Sequence, residues 1–282
     1  MKQSDTLYMN AISNEINNIS TMEINDSTSP FVISFCSGKG GVGKSVLAVN
    51  LGISLAKYGR VLIWDTNIHF PNVHLMIGAE PPVRLNEVYT QQIDASQAVC
   101  DIDENISILA GSPAEPEENR FIENKVFITF EQLLNYAQFD FIIIDAPAGY
   151  SEDILQCCSI SDIILLTMTD EPTSMLDAYG LLKIMKRKID FRKMHLLINN
   201  VIDNEDAEEV IEKFNMVTNK FLNLQMPEIG FIPYDRSVRQ SILMQEVLVK
   251  TKPDGESSKA IERLANRIFE LHVSSIEQNV GE

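Results

Sequence analysis

The run Gly38-Lys39-Gly40-Gly41-Val42-Gly43-Lys44-Ser45 constrains this chain more than any other stretch, because it holds two glycines separated by four residues and then lysine and serine. That is the pattern of a phosphate-binding loop, and it needs a strand before it and a helix after it. Both are present in the sequence. Phe31-Val32-Ile33-Ser34-Phe35-Cys36 is β-branched and aromatic, and Val46 to Ala56 runs on without a helix breaker. Backbone N–H groups of Gly38, Gly40, Gly41, Val42, Gly43 and Val46 are then expected to turn toward an anion, helped by the positive end of the helix dipole. Lys44 is placed to reach β- and γ-phosphates, and the Ser45 hydroxyl to ligate Mg²⁺. The expected ligands are ATP or ADP with Mg²⁺.

Two further strand ends carry carboxylates. Arg60-Val61-Leu62-Ile63-Trp64 reads as a buried parallel strand delivering Asp65, and Phe139-Asp140-Phe141-Ile142-Ile143-Ile144 as another delivering Asp145. Open α/β sheets bind ligands beyond the carboxyl ends of their strands, so Asp65 and Asp145 are candidate Mg²⁺ holders, with Asp65 also a candidate catalytic residue. Strands are expected again at Ile106–Gly111, Ile163–Thr167, Met194–Ile198 and just before Gly230, with helical spacing between them. The fold class that follows is a doubly wound, mostly parallel sheet flanked by helices. With 282 residues the chain suits one large domain. We place it at 30–273, after an arm at 1–29 and before an acidic tail at 274–282. Leu7, Tyr8, Met9, Ile12, Ile16 and Ile19 give the arm a rough helical spacing, so it reads either as plain disorder or as a short amphipathic segment that docks on a partner.

The net charge of −17 disfavours a DNA-binding role. A local exception is Lys183, Lys186, Arg187, Lys188, Arg192 and Lys193, six of the 23 basic residues within eleven positions. They read either as a solvated helix end or as a site for an acidic partner or nucleic acid. No apolar run is long enough to span a bilayer and the first 29 residues do not resemble a signal peptide, so a cytoplasmic location is expected. Cys36, Cys100, Cys157 and Cys158 lack C-x-x-C spacing and are expected to be reduced thiols. His69 and His74 have no third ligand nearby in sequence, which argues against a metal pair.

Lys39, directly after the first glycine, makes the loop resemble the variant found in the MinD/ParA family of ATPases. The resemblance covers roughly residues 30–270 and implies a P-loop NTPase fold and an ATP-dependent homodimer in which Lys39 reaches the partner's nucleotide. It implies adenine contacts for Asn199 and for Pro233 and Asp235 in Gly230-Phe231-Ile232-Pro233-Tyr234-Asp235. It implies that Ala146-Pro147-Ala148-Gly149 senses the γ-phosphate. The last segment, Pro253 to Ile261 leading into a helix with Ile261, Leu264, Ala265, Ile268 and Phe269 on one face, together with Glu171-Pro172-Thr173 and Asp177-Ala178-Tyr179, is similar to the flagellar-number branch, FlhG or FleN. That implies a regulator acting through a protein partner.

The chain departs from the family pattern at four places, one of them Asn200, a position where the family often has arginine. Where the family has a second aspartate that orients the attacking water, this chain has Asn67, which can hold a water but cannot take its proton. Slow or absent hydrolysis is therefore expected unless another carboxylate, such as Glu115, Glu117 or Glu118, substitutes. The terminal Ser274 to Glu282 is acidic and weakly apolar, so membrane anchoring through it is not expected. The arm lacks the basic glutamine-and-leucine motif of the flagellar branch. The expectation is thus an ATP-switched regulator of positioning, with a non-hydrolysing scaffold or a DNA-segregation ATPase as rivals.

Overall fold

The computed structural model describes residues 29–67, 71–91, 93–111, 124–136 and 139–280. The expectations for the arm, for His69 and for Glu115, Glu117 and Glu118 fall outside them. Eight strands form one sheet: β1 (Phe31–Ser37), β2 (Val61–Asp65), β3 (Val99–Asp103), β4 (Ile106–Leu109), β5 (Phe141–Ala148), β6 (Ile163–Met168), β7 (Met194–Val201) and β8 (Glu228–Pro233). Their order is β3-β4-β2-β5-β1-β6-β7-β8. All neighbours pair in parallel except β3 with β4. The central strands are buried on both faces, which is why they read as continuous apolar runs.

Helices cover both faces. On one side α1 (Lys44–Leu55), α2 (Val73–Ile77), α9 (Leu248–Thr251) and α10 (Glu256–Val280) enclose a core built on Phe35, Leu51 and Ile143. On the other, α3 (Leu85–Gln91), α4 (Lys125–Tyr136), α5 (Glu152–Ser159), α6 (Pro172–Met185) and α7 (Asn204–Leu222) enclose Trp64, Ile144 and Leu166. The short α8 (Arg236–Met244) follows β8.

Two details differ from the sequence reading. β5 runs past Asp145 to Ala148, because Ser37 pairs with Ala148 and the Ser37 carbonyl accepts the Gly149 N–H at 2.9 Å. β3 has no apolar run to announce it and exists through its antiparallel pairing with β4. The final helix extends to Val280, beyond residue 273. It is held to the body by Tyr58 stacked on Phe269, with centroids 4.0 Å apart, and by Phe31 against His272.

Candidate nucleotide site

The loop between β1 and α1 lies at the carboxyl end of the sheet's centre, where the chain first turns to one side (β2) and later to the other (β6). Gly43 precedes α1 with φ 95°, no side chain caps the helix, and its first turn has no acidic residue. Side chains do cap α5, α7 and α8, through Ser151, Asp203 and Asp235. The α1 N-terminus therefore presents N–H groups that no side chain satisfies, which is the arrangement that binds an anion.

The loop's shape is set from within and behind. Lys44 is buried and its Nζ donates to Ser37 Oγ at 2.7 Å, which in turn donates to the Lys39 carbonyl at 2.7 Å. Burial pulls the Lys44 pKa down, partly offset by the nearby Asp145. The Asn199 amide donates to the Val42 carbonyl at 2.8 Å, so β7 braces the loop from the side. Gly38 sits against α6, where a Cβ would come within 2.2 Å of the Asp177 backbone. Ser37 carried no signal in the sequence, because nothing in its neighbourhood distinguishes it from any strand-end serine.

Asp65 and Asp145 are cross-strand neighbours, and both are buried. Burial raises the Asp145 pKa, against the lowering effect of the Ser45 hydroxyl bonded to it and of Lys44. Its Oδ1 is buried with no hydrogen-bond partner. Such an orphaned carboxylate oxygen beside a hydroxyl suits a divalent cation. Asp65 is raised to about 7, first by burial and then by Asp145. Its carboxylate accepts the backbone N–H of Asn67 at 3.0 Å, of Asn72 at 2.9 Å and of Val73 at 3.1 Å. Asp65 thus clasps the segment that leads to α2.

A cavity of about 770 Å³ opens from the loop. Gly40 to Ser45 and Val46 form its floor, Asn67 and Pro147 one wall, and Asn199, Pro233 and Asp235 another. Gly38, Asp65 and Asp145 lie behind the lining. At the mouth, the Lys39 amine pairs with Glu171, the residue that begins α6, and donates to Thr173 Oγ1 at 3.0 Å. Pro233 and Asp235 stand together at the end of β8: the Pro233 carbonyl accepts from Ser257 at 2.9 Å and Asp235 caps α8 through the Ser237 N–H. The role of Glu171 as the partner of Lys39 was not foreseen, since 132 residues separate them.

The basic stretch is largely engaged within the chain. Lys186 donates to the Leu222 carbonyl, Lys193 to the Ser161 carbonyl at 2.8 Å, Lys188 to Tyr150 Oη at 3.1 Å, and Arg192 pairs with Asp190 at 2.7 Å. No group of three or more His, Cys, Asp and Glu side chains arranged to hold a metal occurs among the described residues, and none of their helices is long and apolar enough to cross a membrane.

Comparison with known proteins agrees with this architecture. The family model ParA, described as NUBPL iron-transfer P-loop NTPase, matches residues 30–269. Antiactivator FleN of Pseudomonas aeruginosa is 27% identical, over 84% of this chain and 85% of its own. The flagellum site-determining protein YlxH of Helicobacter pylori is 26% identical, over 87% and 82%. The crystal structure of the cell division ATPase MinD of Pyrococcus furiosus superposes with a TM-score of 0.68 at 25% identity, covering 86% of this chain and all of that one. With the phosphate loop, the strand order and the family match in agreement, this chain belongs to the ParA/MinD family of P-loop NTPases.

Proposed function

We propose that the protein is an ATP-binding switch that dimerises with nucleotide at the interface and regulates a positioning process, flagellar number or placement being the reading favoured by its likeness to FleN and YlxH. The observation that carries this reading is the uncapped α1 N-terminus with Lys44 beneath it, the orphaned Asp145 Oδ1 beside Ser45, and Lys39 at the mouth. Lys44 would neutralise β- and γ-phosphate oxygens. Ser45 and Asp145 would hold Mg²⁺, with Asp65 adding negative charge behind them. Mg²⁺ supplies charge stabilisation for the phosphoryl group. Asn199, Pro233 and Asp235 would bound the adenine end, and Lys39 would leave Glu171 and cross to a second chain's nucleotide.

Asn67 lines the cavity and offers an amide where a carboxylate would accept a proton. Phosphoryl transfer rests mainly on positioning and charge stabilisation, so Asn67 can orient a water while turnover stays slow. The ATP-bound dimer would then be long-lived. The relatives named for flagellar site determination and antiactivation support a role exerted through a protein partner. Iron transfer finds no support in the cysteines, since Cys36, Cys157 and Cys158 are buried in the core. DNA binding gains little from the basic stretch, in which Lys186 and Lys193 are tied to carbonyls and Arg192 to Asp190.

The test is light scattering with Mg²⁺ and ATP or ADP, with phosphate release followed on the same samples. We expect a dimer with ATP only, turnover near background, and phosphate release at least tenfold faster in Asn67→Asp. A monomer in ATP, or brisk wild-type turnover, would overturn the reading.

A further inference from the structure

An apolar groove of about 380 Å³ runs between α6 and α7 on the face away from the sheet. Met175, Leu176 and Tyr179 line one side and Phe214, Val217 and Phe221 the other. It is not a shallow accident of packing: Leu176 and Phe221 are 67% and 63% exposed, a concentration of bare apolar surface that calls for an occupant.

We propose that the occupant is the chain's own N-terminal arm, laid into the groove as a helix by Met9, Ile12, Ile16 and Ile19. Their spacing of three, four and three residues puts all four on one face of a helix. That seam rises roughly 15 Å at 1.5 Å per residue, enough to cover the two to three turns that the groove exposes. Position also favours it. The arm joins the body at the amino end of β1, where the Val32 N–H donates to Asp162 at the start of β6. The carboxyl end of α7, whose Phe221 lines the groove, comes to this same edge of the sheet, where Lys186 donates to the Leu222 carbonyl, and the groove rises from there toward the amino-terminal half of α6 at Pro172 to Tyr179. Residues 20–29 span roughly 33 Å when extended. The near end of the groove, at Phe221, is about two strands and one helix layer away, on the order of 20 Å, which leaves the rest of the tether to climb toward α6.

Charge separates the arm from a second copy of the chain. The α7 helix that forms one wall begins with Glu205, Asp206, Glu208, Glu209 and Glu212. Two copies meeting through this face would bring those five carboxylates, offset on the same helix only by Lys213 and Lys220, against their counterparts in a protein of net charge −17. Between Thr6 and Met22 the arm has one charged residue, Glu15, among asparagines and serines. It can therefore bury its seam beside α7 with little repulsion, and its tether raises its effective concentration to the order of millimolar.

Hydrogen exchange followed by mass spectrometry on the full chain tests this, using wild type, Ile12→Asp/Ile16→Asp and Val217→Asp. In wild type, peptides spanning 8–20 and 212–222 should exchange at least tenfold more slowly than in the arm variant. Val217→Asp should release the arm peptide likewise. The arm substitutions lie outside the folded body, so an unchanged melting curve certifies that comparison even if Val217→Asp unfolds. Equal exchange in wild type and the arm variant would overturn the proposal. So would protection that grows with protein concentration alongside a dimer mass, which would assign the groove to a second copy.

Discussion

Gly43 has φ 95°, and a Cβ there would lie 2.3 Å from Asn199 Nδ2, so both the backbone and the brace from β7 demand glycine. Gly43→Ala should weaken ATP binding at least tenfold, as measured by calorimetric titration. Gly38 and Gly40 look alike in the motif but differ in three dimensions. Gly38→Ala drives a methyl into the Asp177 backbone and should cost about 1–3 kcal/mol in urea unfolding, whereas Gly40→Ala meets only Ala148 Cβ at 3.9 Å and should leave stability unchanged. The pattern of glycines was legible in the sequence. The reason for each was not, because Asp177 and Asn199 reach the loop from strands and helices far along the chain. Glu171 makes the same point. Its pair with Lys39 is solvent-exposed, and Glu171→Gln should leave the melting temperature unchanged while increasing the dimer fraction at limiting ATP in light scattering, since Lys39 no longer has an ionic partner within its own chain.

Among elements, α4 and α5 are tied by a contact that no periodicity announces. Lys125 Nζ meets Asp153 at 2.8 Å with only 6% of the lysine side chain exposed. Lys125→Met leaves Asp153, 19% exposed, without its cation and should cost about 2 kcal/mol in denaturant unfolding. The strands that read most plainly in the sequence, β1, β5 and β6, are those buried on both faces. The edge strand β3 was missed because its exposed Asp101 and Asp103 interrupt any apolar run and the strand is recruited by β4 alone. The last helix runs through polar final turns to Val280, prolonged by helical propagation from a body held by Phe269 and His272.

For the molecule as a whole, a ligand that binds only the folded state raises stability by mass action, about 2.7 kcal/mol at one hundred times its Kd. ATP with Mg²⁺ should accordingly raise the melting temperature by about 5 °C in a scanning fluorescence measurement, and chelating the metal should remove most of that gain, because Asp145 and Asp65 would again lie buried side by side without a cation. The sequence by itself determined the phosphate loop, the aspartates at successive strand ends and the doubly wound class, since each depends on residues adjacent in the chain or on a local apolar period. Only the tertiary structure decided what those groups touch. The order β2-β5-β1-β6-β7 sets Asp65 beside Asp145, Asn199 against Val42 and Glu171 against Lys39. Strand order is a choice among crossovers made by the packing of two helical layers, and no local pattern encodes it.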